Sequence, residues 1–112
     1  VAMALEAGVT SRVITNGGDF RQLGVPKDDP VCDLIYATNS ATIEIKGGTF
    51  KAVTPANTLN VKDTDRGSAK IIVKGGSFYK FDPSKDNPGG ITIPDGDKVV
   101  KDGDWYKVVA NN

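Results

Sequence analysis

The stretches "IKGGTF" at residues 45–50 and "VKGGSF" at 73–78 decide how this chain folds, and a third version, "TNGGDF", stands at 15–20. Paired glycines weaken the interior of a strand, because glycine loses the most backbone freedom on ordering and brings no side chain to pack. Their repeated placement just before a phenylalanine therefore marks a structural device. Aligned on their first glycines, the motifs lie 30 and 28 residues apart. Spacings of this size belong to stacked repeats, in which each unit buries its apolar face only against its neighbours.

The aligned columns read Val13/Ile43/Ile71, Thr15/Ile45/Val73 and Phe20/Phe50/Phe78. Between them run Arg12/Thr42/Lys70, Ile14/Glu44/Ile72 and Asn16/Lys46/Lys74. A period of two turns the first set inward and the second mostly outward. A further apolar segment precedes each later motif, "DLIYATNS" at 33–40 and "TLNVKDTDRGS" at 58–68. Asn, Asp, Gly, Ser and Pro fill the corners between them. The expectation is an all-β fold, a parallel β-helix (solenoid) whose coils stack about 4.8 Å apart. Phe20, Phe50 and Phe78 then form an internal ladder, and each Gly-Gly provides the corner through positive φ or close backbone approach. A β-sandwich accounts for the alternation equally well but leaves the repeated GG-x-F without a reason.

Composition narrows the function classes. One domain is the most that 112 residues support, and 14 basic against 14 acidic residues leave no net field to hold nucleic acid or an anionic membrane. No apolar run is long enough to span a bilayer as a helix, so membrane insertion is not expected. The single cysteine, Cys32 in "VCDLIYA", reads as a buried strand thiol. Residues 1–8, "VAMALEAG", hold good helix formers before a glycine and read either as a short N-terminal helix or as a connector. Because the sequence opens at Val1 with no signal peptide, the chain is taken as a fragment of a longer polypeptide, with coils over 9–90 and a capping hairpin over 91–112.

Catalytic and metal chemistry is sparse. The chain contains no histidine, the commonest general base and transition-metal ligand, and its one cysteine excludes Cys-rich clusters. No nucleotide loop or nucleophile elbow occurs, and no cofactor is expected. The acids gather in loops, at Asp28-Asp29, Asp63/Asp65, Asp82/Asp86, Asp95/Asp97 and Asp102/Asp104, where turn chemistry explains them. "DTDRG" at 63–67 resembles half of a calcium loop but lacks the third acid and the distal Glu. Among the outer columns Glu44 is the single acid, alongside Lys46 and Lys74. Glycan binding needs aromatic faces beside hydrogen-bonding groups, and Tyr36 and Tyr79 are the candidates. Partner contact is expected on the outer face (Thr42, Glu44, Lys46, Lys70, Ile72, Lys74) or on the loops at 24–31 and 82–90.

Beyond residue 81 the register changes. "DPSKDNPGG" at 82–90 is a loop, and "KVVKDGDWYKVV" reads as a hairpin turning at Asp102-Gly103 in a type I′ turn, with Val99 and Val100 facing Trp105 and Tyr106. Laid on the last coil, this hairpin covers an open sheet edge, with Trp105 as a cap residue.

The string "GGSFYKFDPSKDNPGG" followed by "IPDGDKVVKDGDWYKVV" resembles the C-terminal ends of right-handed β-helix proteins of gut bacteria and their phages, both surface or adhesin-like polypeptides and virion fibres. The resemblance covers about residues 41–110. It implies a pectate-lyase-like, right-handed parallel β-helix of about three coils with a C-terminal hairpin cap, placed outside the cell or on a virion. It also implies an adhesive or structural role, binding a glycan or a host or bacterial surface protein without catalysis, often as a homotrimer. The exposed column residues Ile14 and Ile72 suit such side-by-side packing. An alternative is a fragment of a β-helix polysaccharide lyase or glycosidase, whose acids from adjacent coils would converge on one outer face.

Overall fold

Short β-branched and aromatic runs form strands here because each fits a pleated surface with one buried face. The computed structural model describes residues 5–22 and 33–111. Three strands lie in the first part, β1 (Leu5–Ala7), β2 (Arg12–Thr15) and β3 (Asp19–Arg21). The next three are β4 (Ile35–Ala37), β5 (Thr42–Ile45) and β6 (Thr49–Lys51). After them come β7 (Leu59–Val61), β8 (Lys70–Val73) and β9 (Ser77–Tyr79). The chain ends in β10 (Ile91–Thr92), β11 (Asp97–Asp102) and β12 (Trp105–Ala110). Among the described residues there is no α-helix, only single 3₁₀ turns at Pro55–Asn57 and Asp63–Asp65.

Each of three sheets takes one strand from each of the first three groups. The orders are β1-β4-β7, β10-β8-β5-β2 and β11-β12-β9-β6-β3. All pairings are parallel except those of β12 with β11 and β9. The register is the one that the glycine alignment predicts: Val13 opposite Ile43 and Ile43 opposite Ile71, Thr15 opposite Ile45 and Ile45 opposite Val73, Phe20 opposite Phe50 and Phe50 opposite Phe78. Ile43, Ile45, Phe50, Ile71, Val73 and Phe78 are completely buried.

The two glycines of each corner do different work. The second, at Gly18, Gly48 and Gly76, lies at φ 107°, 109° and 99°, a conformation that L side chains rarely adopt. In the two later corners the first sits against the backbone of the layer before it. A Cβ on Gly47 would come within 2.6 Å of the Asn16 carbonyl oxygen, and one on Gly75 would collide with that of Lys46. The corner bends at the second glycine and stacks through the first.

Beyond the corner the rings meet. Phe20 and Phe50 stack with centroids 5.0 Å apart and 1° between planes, and Phe50 and Phe78 follow at 4.9 Å and 12°. Phe81 ends the series, tilted 55° to Phe78 at 6.4 Å and completely buried. Lys80, at φ 49°, turns the chain between these last two rings, and its N–H donates to the Asp104 carbonyl at 2.7 Å. Burying one such ring stabilises by roughly 1.5–3 kcal/mol, with about 0.5–1.5 kcal/mol more per ring pair.

Three local expectations change. Residues 5–7 form a strand rather than part of a helix, since Leu5, Glu6 and Ala7 pair with Ile35, Tyr36 and Ala37 and the sheet bonds outweigh their helix propensity. Ile91 and Thr92 extend the four-stranded sheet beside Ile71 and Ile72, so the hairpin itself starts at Asp97. The hairpin register also shifts: Val99 and Val100 face Val108 and Lys107, while Lys101 and Asp102 face Tyr106 and Trp105. Its two-residue turn is Gly103-Asp104, with Gly103 at φ 63° and Asp104 outside the positive-φ region, the type II′ pattern rather than type I′. Cys32, the loop at 24–31 and the first four residues of the expected helix lie outside the described residues.

Two substitutions test this packing. Phe50→Ala is expected to cost about 3–5 kcal/mol in chemical denaturation, and a loss under about 1 kcal/mol would contradict the internal ladder. Thr15 carries a buried hydroxyl without a hydrogen-bond partner in an otherwise apolar column. Thr15→Val is therefore expected to stabilise the fold by about 1 kcal/mol in the same assay, and a destabilised variant would contradict that reading.

Candidate functional site

Alternation along β12 divides the hairpin into two faces. Trp105 and Lys107 point to the outer side of the five-stranded sheet, and Tyr106, opposite Phe78, points to the other. Each side carries an open cavity. The outer one, about 300 Å³, is lined by Thr49, Ser77, Asp102, Trp105 and Lys107. The inner one, about 430 Å³, lies between Tyr106, Val99, Lys101 and the loop residues Asp82, Ser84, Lys85 and Asp86.

The loop bordering the larger cavity is occupied with its own turn. Asp82 accepts from the Ser84 N–H at 2.9 Å and the Ser84 hydroxyl at 2.6 Å, while Asp86 accepts from the Asp82 N–H at 2.7 Å. Among the described residues no group of three or more His, Cys, Asp or Glu side chains is arranged to hold a metal ion. The 63–67 segment behaves similarly: Asp65 accepts from the Asn39 N–H at 2.7 Å, and Asp63 pairs with Arg66 at 3.0 Å.

The outer cavity combines an aromatic ring with mixed polar groups. Trp105 is half-buried and leans edge-on against Tyr79, centroids 5.4 Å apart at 64°. Asp102 and Lys107 form an ion pair at 3.0 Å. Thr49 donates its hydroxyl to Asp19 at 2.8 Å, whereas the Ser77 hydroxyl has no hydrogen-bond partner among the described residues. An apolar ring face flanked by a free hydroxyl, a carboxylate and an ammonium suits a ligand with one apolar side and several hydroxyls.

The residues expected to contact a ligand lie in three separate places. Tyr36 is on the three-stranded sheet, level with Glu6 and Asn60. Burial, followed by the charges of Asp33, Asp63, Asp65 and Glu6, raises its phenol above the usual tyrosine range. Glu44, Lys46 and Lys74 are together on the face of the four-stranded sheet. Tyr79 is on the five-stranded sheet, level with Trp105 on the adjacent strand and next to the outer cavity. The Lys51 and Lys80 ammonium groups stand 4.5 and 5.4 Å from its ring centroid. Trp105, read from sequence as a cap, both packs on the preceding strand and lines the cavity.

Glu44 is the one strand carboxylate of the four-stranded sheet, and it is buried at 4% exposure rather than presented to solvent. Arg12 reaches one carboxylate oxygen at 3.2 Å, and Lys74 and Lys46 reach the other at 2.9 and 3.7 Å. The Lys74 hydrogen bond, reinforced by the Arg12 bond and the surrounding cations, holds its pKa below the usual carboxylate value against the opposing effect of burial. A carboxylate so held is a poor proton carrier at neutral pH, and its three cations are committed to it. Glu44 also separates the exposed Ile14 from the half-buried Ile72 along its column, so these two side chains form no continuous apolar patch.

No protein-family profile, characterised protein or solved structure matches this chain significantly. No helix among the described residues is long and apolar enough to cross a membrane.

The Glu44 cluster predicts a pH signature. Because its pKa is lower in the folded chain than in the unfolded one, its stabilising contribution is complete above the unfolded value and is lost as pH falls through the folded one. The urea midpoint of Glu44→Gln should therefore lie furthest below wild type near neutrality. The gap should close as pH drops below the ordinary carboxylate range of about 4. Asp19 is also depressed, chiefly by its hydrogen bond with Arg21, but it is common to both proteins and cancels in the comparison. A gap that does not change with pH would contradict the cluster.

Proposed function

We propose that this chain is an adhesive module that uses the outer face of its five-stranded sheet to hold a glycan. The three sheets are read as the sides of a right-handed parallel β-helix of about three coils, with the β11–β12 hairpin covering its C-terminal end. The sheet orders and the repeated in-register pairing support this reading, and the resemblance of residues 41–110 to surface and fibre proteins agrees with it.

The observation that carries the functional reading is the Trp105 cavity. Sugars offer an apolar ring face from their C–H groups and a rim of hydroxyls, so an indole beside hydrogen-bonding side chains is a matched surface. Trp105 supplies the stacking face, Ser77 and Thr49 supply hydroxyls, and the Asp102–Lys107 pair supplies a charged acceptor and donor. Tyr79 serves as the support against which Trp105 is set, rather than as the platform itself. Hydrogen-bonded strands of one sheet hold all these groups on rigid elements, which lowers the ordering cost of binding. A place on a cell or virion surface, and assembly as a trimer, belong to the same proposal.

Screening the purified chain on a glycan array, followed by calorimetry on the hits, tests the reading. Trp105→Ala is expected to weaken binding at least tenfold, from loss of about 1.4 kcal/mol or more. Ser77→Ala, which leaves the aromatic packing in place, should weaken it about threefold to tenfold through one hydrogen bond. Binding by wild type that both variants retain would place the sugar elsewhere. An array with no hits would remove the glycan reading.

A further inference from the structure

The same face carries charge that its own ion pairs do not consume, and we infer from it that the preferred glycan is acidic. The inference rests on the sugar-contact reading above and specifies the class of sugar. Across the outer side of the five-stranded sheet, Asp19 pairs with Arg21 at 2.8 Å and Asp102 with Lys107 at 3.0 Å. Lys98 is unpaired among the described residues at the far end of the hairpin, opposite Val109, and Lys51 and Lys80 remain beside Trp105. Neither of these two has a carboxylate within ion-pair distance among the described residues, and each instead stands over the ring of Tyr79.

Their position follows from the strand register. Phe50 is opposite Phe78, so the next residues along, Lys51 and Tyr79, are level with each other, and Tyr79 is opposite Trp105. Lys51, Tyr79 and Trp105 thus form a row across three adjacent strands. The outer strands of that row are about 10 Å apart, twice the ordinary strand spacing. A sugar stacked on Trp105 brings its neighbour in the same glycan over Tyr79, within reach of the two ammonium groups that stand 4.5 and 5.4 Å from the ring centroid. A carboxylate on that neighbouring unit exchanges a cation–π contact for a charge-assisted hydrogen bond, which is the stronger interaction. A neutral sugar gains nothing comparable from the two lysines.

The experiment uses acidic oligosaccharides and their methyl esters, which keep the rings and remove the charge. Tetragalacturonic acid, a hyaluronan tetrasaccharide and sialyllactose serve as probes. Binding is followed by calorimetry and by emission of Trp105, the single tryptophan of the chain. At least one acid should bind about tenfold more tightly than its own ester, with the advantage shrinking at high salt. Lys51→Gln should bring the acid-to-ester ratio towards one, while Lys62→Gln, an exposed lysine away from this face, should leave it unchanged. Equal affinity for acid and ester overturns the acidic preference but leaves the sugar face standing. An acidic preference that survives Lys51→Gln overturns the assignment to this row. If neither acids nor esters bind, while neutral glycans on the array also fail, the sugar-contact reading itself falls.

Discussion

The stacking of one phenylalanine ring on the next sets the terms for the rest of this structure. Ring centroids 5.0 and 4.9 Å apart match the distance between hydrogen-bonded strands, so the ladder and the sheet share one pitch. That match leaves no slack at the corner. The backbone of each layer must approach the previous one closely enough for its first glycine to touch a carbonyl, and the second must turn through positive φ to aim the ring inward. A one-residue slip in any strand would move every inward side chain to the solvent face, so the repeated corner also fixes the register.

Register then decides what the surface can do. On the four-stranded sheet it surrounds Glu44 with Arg12, Lys46 and Lys74, which turns the most conspicuous outer acid into a buried, neutralised tie between layers. On the five-stranded sheet it places Lys51, Tyr79 and Trp105 in a row beside an open cavity, with two ammonium groups left without an acid. Both faces are built from the same layers, but one gathers three cations around a buried carboxylate and the other leaves two over an aromatic ring. The proposed binding face is the second.

The fold was more legible in the sequence than the site, for a physical reason. Columns such as Ile43/Ile71 and Phe50/Phe78 repeat in the chain because they repeat in space, and spacing alone aligns them. Features that depend on a single pairing were harder to read. Leu5–Ala7 is made of good helix formers and becomes a strand only because Ile35–Ala37 offers it a partner edge. The hairpin turn moved by one residue, from Asp102-Gly103 to Gly103-Asp104, and that shift is what sets Asp102 level with Trp105, on the face that also carries Lys107. Tyr79 was visible as an outward aromatic, but its partnership with Trp105 needed the β9–β12 pairing. The Glu44 cluster was within reach: once the columns are aligned, its three cations fall two residues away on the same face, where long side chains meet.

The ring ladder is the central claim, and the most direct measurement of it is a set of through-space proton contacts by NMR with selectively labelled phenylalanine. Stacked rings at this separation predict ring-to-ring cross-peaks for Phe20 with Phe50 and for Phe50 with Phe78, with ring-current shifts largest at Phe50, which has a ring on either side. A spectrum of the folded chain in which Phe50 shows no contact with either of the other two rings would contradict the account.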